Sequence, residues 1–264
     1  MDLNIFHIDA FVSKSCRGST ACVIPLNNWF SDDILLQISL RNSVPETAFI
    51  IIKKNKILLR WFTPEIEMDL CGHATLAAAH CIIKELNYNS NKITFETLSG
   101  KLEVLVKNNM YQLNFPARNP VQTTLPEIIK KAINIQPKFV LKSRDYILVY
   151  EKESDIQNIV INQNILDKIN LDPGGVCVTS VGSNSDFVSR FFTPQSSIFE
   201  DPVTGSAHCS LVPYWSTILK KNTLSALQIS DRGGLLICKK KEERVIIGGK
   251  AITFFKETLS LDSI

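Results

Sequence analysis

The sequence lacks any apolar run near the ~20 residues that a membrane-spanning helix requires, so no such helix and no membrane partner are expected. It lacks a basic leader as well. The opening "MDLNIFHIDAF" carries Asp2 and Asp9, and no signal peptide is expected. Its seven cysteines include no CxxC pair, and its four histidines show no zinc-like spacing. Neither a metal nor a disulfide framework is therefore expected, and free thiols in a reducing cytoplasm are the plain reading. Strong charge is also missing. A formal net charge of +3 and a pI near 8.4 fall short of the basic face that a nucleic-acid partner would need. The densest charge run, "CKKKEER" (Cys238 to Arg244), reads as a solvated turn between two strands. With 11 Gly and 11 Pro in 264 residues, the chain is not linker-rich.

What the chain does have is a sizeable apolar fraction, 45%, and a phrase written twice. RWFTP occupies Arg60 to Pro64, and RFFTP occupies Arg190 to Pro194. After each phrase comes a turn and then a glycine: Gly72-His73-Ala74 in one case, Gly205-Ser206-Ala207 in the other. Further on, "LSGKLEV" (Leu98 to Val104) matches "RGGLLIC" (Arg232 to Cys238). Three ordered landmarks at nearly constant offset point to an internal duplication of a domain-sized unit. Each copy reads strand, Pro-bounded turn, Gly-opened helix, loop, strand, Gly turn, strand.

"TAFIIIK" and "KILLRWF" flank a short polar turn, as a β-hairpin does. "HATLAAAHCIIKEL" (His73 to Leu86) is apolar on nearly every side up to Lys84, which predicts a helix buried all round. "SAHCSLVPYWSTIL" (Ser206 to Leu219) is its counterpart, with Pro213 removing the bond to the Cys209 carbonyl and bending the helix. An amphipathic helix opened by Ser31 and a helix near "LPEIIKKAIN" lie outside the repeat. The expected fold class is α+β: two pseudo-symmetric domains, each a mostly antiparallel, barrel-like sheet around a central helix. The expected domains are 1–117 and 118–264, with the final strand able to return to the first.

The first backbone N–H groups of a helix lack intrahelical partners and carry partial positive charge. Two such starts, at Gly72 and Gly205, would make a cleft for a small carboxylate if the halves pack symmetrically. On the residues alone, these glycines are equally readable as ordinary turn residues. "EMDLCGHAT" gathers Glu67, Asp69, Cys71 and His73 at the first start, and "EDPVTGSAH" gathers Glu200, Asp201, Thr204, Ser206 and His208 at the second. Glu46, in "VPETAF", either caps a turn or points into the cleft.

"VPETAFI", "RWFTPEIEMDLCGHATLAAAH" and "RFFTPQSSIFEDPVTGSAHCSLVPYW" together resemble the PhzF-like (phenazine biosynthesis-like) isomerases, over nearly the whole chain. That family has the diaminopimelate epimerase fold. The resemblance implies Glu46 as catalytic acid/base, His73 and Asp201 as polar partners, and Gly72, Gly205 and Ser206 as substrate-binding residues. It also implies a homodimer that needs no cofactor. The chain departs from the family at "RGSTACV", where Ser19 and Thr20 follow Gly18 in place of the family's Asn-Pro.

Racemases of this fold use a cysteine before the glycine at each helix start. Here Cys71 precedes Gly72, but Thr204 precedes Gly205. A hydroxyl cannot replace a thiolate as base at neutral pH. The expectation is therefore a one-base isomerase acting through Glu46 on a small carboxylic or amino acid. Two alternatives remain: a Cys71-based epimerase or dehydratase of a hydroxylated amino acid, and a non-catalytic metabolite-binding protein on the same scaffold.

Overall fold

A β-branched run alternates its side chains across a pleated surface and pairs readily with a second such run across a tight turn. The two runs before the first phrase do this. In the computed structural model, which describes residues 2–54, 56–171 and 174–260, β3 (Glu46–Lys53) and β4 (Lys56–Phe62) pair antiparallel from Thr47↔Phe62 to Lys53↔Lys56. They belong to the first of two compact units, Met1–Asn114 with Gly248–Ile264; the second is Phe115–Ile247.

The first unit opens with β1 (Asp2–Ala10), β2 (Ser19–Pro25) and α1 (Asp32–Asn42). After β4 come β5 (Glu67–Met68), α2 (Gly72–His80), β6 (Lys92–Thr97), β7 (Gly100–Lys107) and β8 (Met110–Pro116). Strand β2 runs parallel to β3, β4 pairs antiparallel with β5 and parallel with β6, and β6, β7 and β8 follow antiparallel. All nine residues of α2 are buried, against β1, β2, β3 and the last strand of the chain. Its Ala-rich sequence lets strands approach closely on every side. At His80 the α-helix gives way to a π-turn, Cys81–Glu85, where the expectation ran the helix on to Leu86. The opposite face of β2 and β3 packs under α1 through Cys22, Ile24, Phe49, Ile51, Leu35 and Ile38.

The second unit carries β9 (Val121–Thr123), α3 (Glu127–Ala132), β10 (Phe139–Lys142), β11 (Tyr146–Val149), α4 (Glu153–Asn158) and α5 (Gln163–Leu166). Then follow β12 (Val176–Val181), β13 (Phe187–Phe192), β14 (Glu200–Asp201), α6 (His208–Leu219), β15 (Thr223–Gln228), β16 (Gly234–Lys241) and β17 (Arg244–Gly249). Its pairing repeats that of the first unit: β11 parallel to β12, β12 antiparallel to β13, β13 antiparallel to β14 and parallel to β15, β15 antiparallel to β16. The last strand, β18 (Ala251–Ser260), returns to the first unit and pairs with β1, as β9 pairs with β10 in the second. The matched glycines keep their roles. Gly100 and Gly233 both have positive φ, +88° and +63°, where a side chain would strain the turn. The "CKKKEER" run is mostly strand rather than turn: Cys238 to Lys241 end β16, Glu242 and Glu243 make the turn, Arg244 opens β17, and Cys238 is buried.

The doubled phrase has a physical reason. Arg60 donates Nε and Nη2 to the Glu67 carboxylate at 2.6 and 2.5 Å, and Arg190 does the same to Glu200 at 2.7 and 2.7 Å. Each guanidinium also sits over the second aromatic ring of its phrase, 4.9 Å from Phe62 and 5.1 Å from Phe192. Each arginine thus ties the strand end to the short strand that leads toward the helix.

One expectation for the second helix changes, its start. Gly205 opens a 3-10 turn, Gly205–Ala207, and the α-helix begins at His208. Pro213 lies inside α6, and the Cys209 carbonyl that it leaves free accepts the Arg118 backbone N–H at 2.9 Å. Among the described residues, no helix is long and apolar enough to cross a membrane.

Candidate active site

The local sequence fixes where Glu46 sits. Helix α1 stops at Asn42, with Ser43 in the left-handed region (φ +52°) and its N–H bonded to the Leu40 carbonyl. Val44-Pro45 cannot resume the helix, so the chain enters β3 at Glu46. In the parallel register Ala21↔Glu46, the side chain of Glu46 lies on the face away from the α1 layer, the face that α2 covers.

Helix α2 begins beside it. Cys71 holds the N-cap position with an extended backbone and no side-chain cap. His73 is 4% exposed, and its Nε2 lies 2.9 Å from Glu46 Oε2, an ion-pair contact without hydrogen-bond alignment. On the other edge of the ring, Nδ1 lies 3.6 Å from Cys71 Sγ. The sequence expectation of Glu46 and His73 in one site coincides with this contact, and Cys71 joins them.

Burial alone would push the His73 pKa down, but the neighbouring Cys71 and Glu46 outweigh it and hold it well above the usual imidazole range. Burial pushes the Cys71 thiol up, and the Glu46 carboxylate adds to that rise.

The second unit holds the other expected residues in its own cluster. Asp201 accepts the Thr204 hydroxyl through Oδ2 at 2.7 Å and the Val203 N–H through Oδ1 at 3.2 Å. The Thr204 N–H donates to Gln228 Oε1 at 2.8 Å, and Gln228 Nε2 donates to the Asp201 carbonyl at 2.6 Å. Gly205 is buried and Ser206 half-buried in the turn that follows. His208 bonds the Thr204 carbonyl through Nδ1 at 2.9 Å, and burial pushes its pKa down to about 4. Gln228 escaped the sequence reading because it lies 24 residues from Thr204. Of the remaining acids gathered by sequence, Glu67 and Glu200 are taken up by arginines and Asp69 is exposed.

In the departing segment, Thr20 donates to Asp9 Oδ1 at 2.5 Å. Ser19 is fully buried, and its hydroxyl meets no hydrogen-bond partner among the described residues.

A duplicated α+β unit whose buried helix starts at an acid–histidine pair defines the class first: a pseudo-symmetric, epimerase-like fold. A hydroxyproline epimerase from Agrobacterium vitis shares that fold with a TM-score of 0.63 at 9% identity, with 99% of this chain and 93% of that chain covered. The particular family follows. The chain belongs to the phenazine biosynthesis-like proteins (PhzC-PhzF), whose family model matches residues 8–257. A protein named as an uncharacterized isomerase of Pseudomonas aeruginosa is 42% identical over 261 residues, covering 99% of this chain and 100% of that one. The crystal structure of a PhzF-family protein from Enterococcus faecalis aligns with a TM-score of 0.94 at 39% identity, covering 99% of this chain and 100% of that chain.

Proposed function

We propose that this isomerase moves a proton between carbons of a small carboxylic or amino acid, with Glu46 as the single acid/base and without a cofactor. The carrying observation is the Glu46–His73 contact of 2.9 Å beside the uncapped start of α2. A carboxylate held at a strand end can take a proton from one carbon and return it to another on the same face. His73, buried with Nε2 2.9 Å from Glu46 Oε2, orients the carboxylate. The first N–H groups of α2 stabilise negative charge that develops on the substrate carboxylate. Gly72 holds the substrate at that start in this reading; in the second unit, Asp201 fixes the turn that carries Gly205 and Ser206.

Thr204 supports the one-base form. Its hydroxyl is already donated to Asp201, and it stands where a second cysteine base would be needed. The Cys71 reading has one observation in its favour, the 3.6 Å contact with His73, but a thiol whose pKa burial raises holds little thiolate to act as base. The reading includes a homodimer in the cytoplasm. All seven cysteines are free, which supports a reducing compartment.

The test is a panel of small acids incubated with the protein in deuterated water, with products resolved by NMR and chiral chromatography. A positional isomer carrying deuterium at carbon is expected. Exchange with inversion at one carbon and no positional isomer would overturn the reading.

A further inference from the structure

The Glu46–Cys71–His73 group has the makings of a second kind of site. We propose that it binds one zinc-like divalent ion, Zn2+ above all, and that the bound ion blocks the reaction. One ligating atom from each of the three residues lies within 4.8 Å of the other two. A four-coordinate zinc with bonds of ~2.0–2.3 Å needs its ligand atoms roughly 3.3–3.8 Å apart. The His73–Glu46 and Cys71–His73 separations, 2.9 and 3.6 Å, lie close to that range, so small side-chain rotations reach it. The ion takes one ring nitrogen. Nε2 already faces Glu46, and a turn of the ring presents Nδ1 instead.

The donor chemistry selects the ion. Thiolate, imidazole and carboxylate together favour zinc and its neighbours over magnesium or calcium, which prefer oxygen alone. Three protein ligands leave a fourth position for water or an incoming carboxylate. Glu46 Oε2 and His73 Nε2 are buried atoms that lack aligned hydrogen-bond partners. The frame behind them is firm, since every residue of α2 is buried. Binding releases the Cys71 thiol proton and any proton held between His73 and Glu46, with no change of oxidation state.

The molecule contains its own control. Cys22, His7 and Glu257 supply the same three side-chain types, with Cys22 Sγ 3.4 Å from His7 Nδ1 and Glu257 Oε1 2.7 Å from His7 Nε2. Among the described residues, Glu46–Cys71–His73 is the set that gathers three ligating atoms within 4.8 Å.

The ion's binding is independent of the proposed function, whereas its blocking effect rests on that reading. The full chain, freed of metal by a chelator, is titrated with Co2+ while the thiolate-to-cobalt absorption in the near ultraviolet is followed. A single equivalent is expected to produce the band, and Zn2+ to displace it. The band is lost in Cys71→Ser, kept in Cys22→Ser, and weakened in affinity by more than about tenfold in Glu46→Gln. No band, or one that survives Cys71→Ser, would overturn the site. Should Cys71→Ser fail to fold, unchanged affinity in Glu46→Gln would overturn it equally. Zn2+ is then tested against deuterium exchange, which should stop at one equivalent and return with chelator. Exchange untouched by saturating Zn2+ overturns the blocking effect, while Co2+ binding with no exchange for any acid defeats the functional reading and leaves the site standing.

Discussion

The two helix starts are built from the same landmarks and do different things. In the first unit, Cys71 leaves the N-terminus of α2 uncapped, and His73 faces Glu46 and the thiol. In the second, Thr204 is bonded to Asp201 and Gln228, a 3-10 turn follows, and His208 turns back onto the Thr204 carbonyl. One start leaves Glu46 Oε2 and His73 Nε2 without aligned partners, and the other bonds Asp201, Thr204 and Gln228 to one another. The scaffold around both is the same, down to the bidentate Arg60–Glu67 and Arg190–Glu200 pairs. Duplication kept the frame, and the two starts diverged within it.

The comparison can be broken in four ways, from the largest effect to the smallest. Glu46→Gln should lower the rate of proton exchange by roughly 10²–10⁴-fold, the usual contribution of a general base, with the fold intact by circular dichroism. Next, the two histidines should give opposite pH slopes of stability. His208 is held at about 4 against an ordinary 6.5, so the unfolded chain binds the extra proton between those values. Stability should therefore fall by about 3 kcal/mol as pH drops from 6.5 toward 4, and His208→Asn should flatten that limb of a urea-denaturation series. His73 is raised, so its stabilisation is complete below the ordinary imidazole pKa and is lost as pH rises through the folded value. His73→Asn should flatten that alkaline limb instead.

Third, Arg60→Ala and Arg190→Ala should each cost about 2 kcal/mol in urea midpoints, below the range for a fully buried pair. Arg190→Ala should cost more, because its further bonds go to the Ile156 and Ile159 backbone carbonyls, whereas the further bond of Arg60 goes to the exposed Asp32. Equal losses would argue that the aromatic stacking and carboxylate pairing carry the whole effect. Last, Thr204→Cys, which restores a cysteine at the second start, should cost about 1 kcal/mol through the lost Asp201 hydrogen bond. It should produce no epimerisation by chiral chromatography.

Much of the frame was legible because it depends on local rules. The hairpin at Lys53↔Lys56, the buried α2 and the positive-φ turns at Gly100 and Gly233 follow from alternation, composition and glycine placement. The return of β18 to β1 was open in the sequence, since register between strands some 250 residues apart leaves no local mark. The partners of the repeated arginines were missed although both carboxylates lay in quoted segments. Glu67 and Glu200 stand at different distances from their arginines, 7 and 10 residues, so no fixed spacing marked them. The 3-10 start of the second helix follows from the hydrogen bonds of Thr204, set by the distant Gln228. In the candidate site, Cys71 and His73 stand two residues apart in sequence, but the contact of His73 with Glu46 depends on packing between α2 and β3.

The most direct test of one-sided chemistry is solvent-deuterium incorporation measured side by side in wild type, Glu46→Gln and Cys71→Ala, with the acid that wild type turns over fastest. The account predicts that incorporation collapses in Glu46→Gln and persists in Cys71→Ala. Persistence in Glu46→Gln with collapse in Cys71→Ala would contradict it.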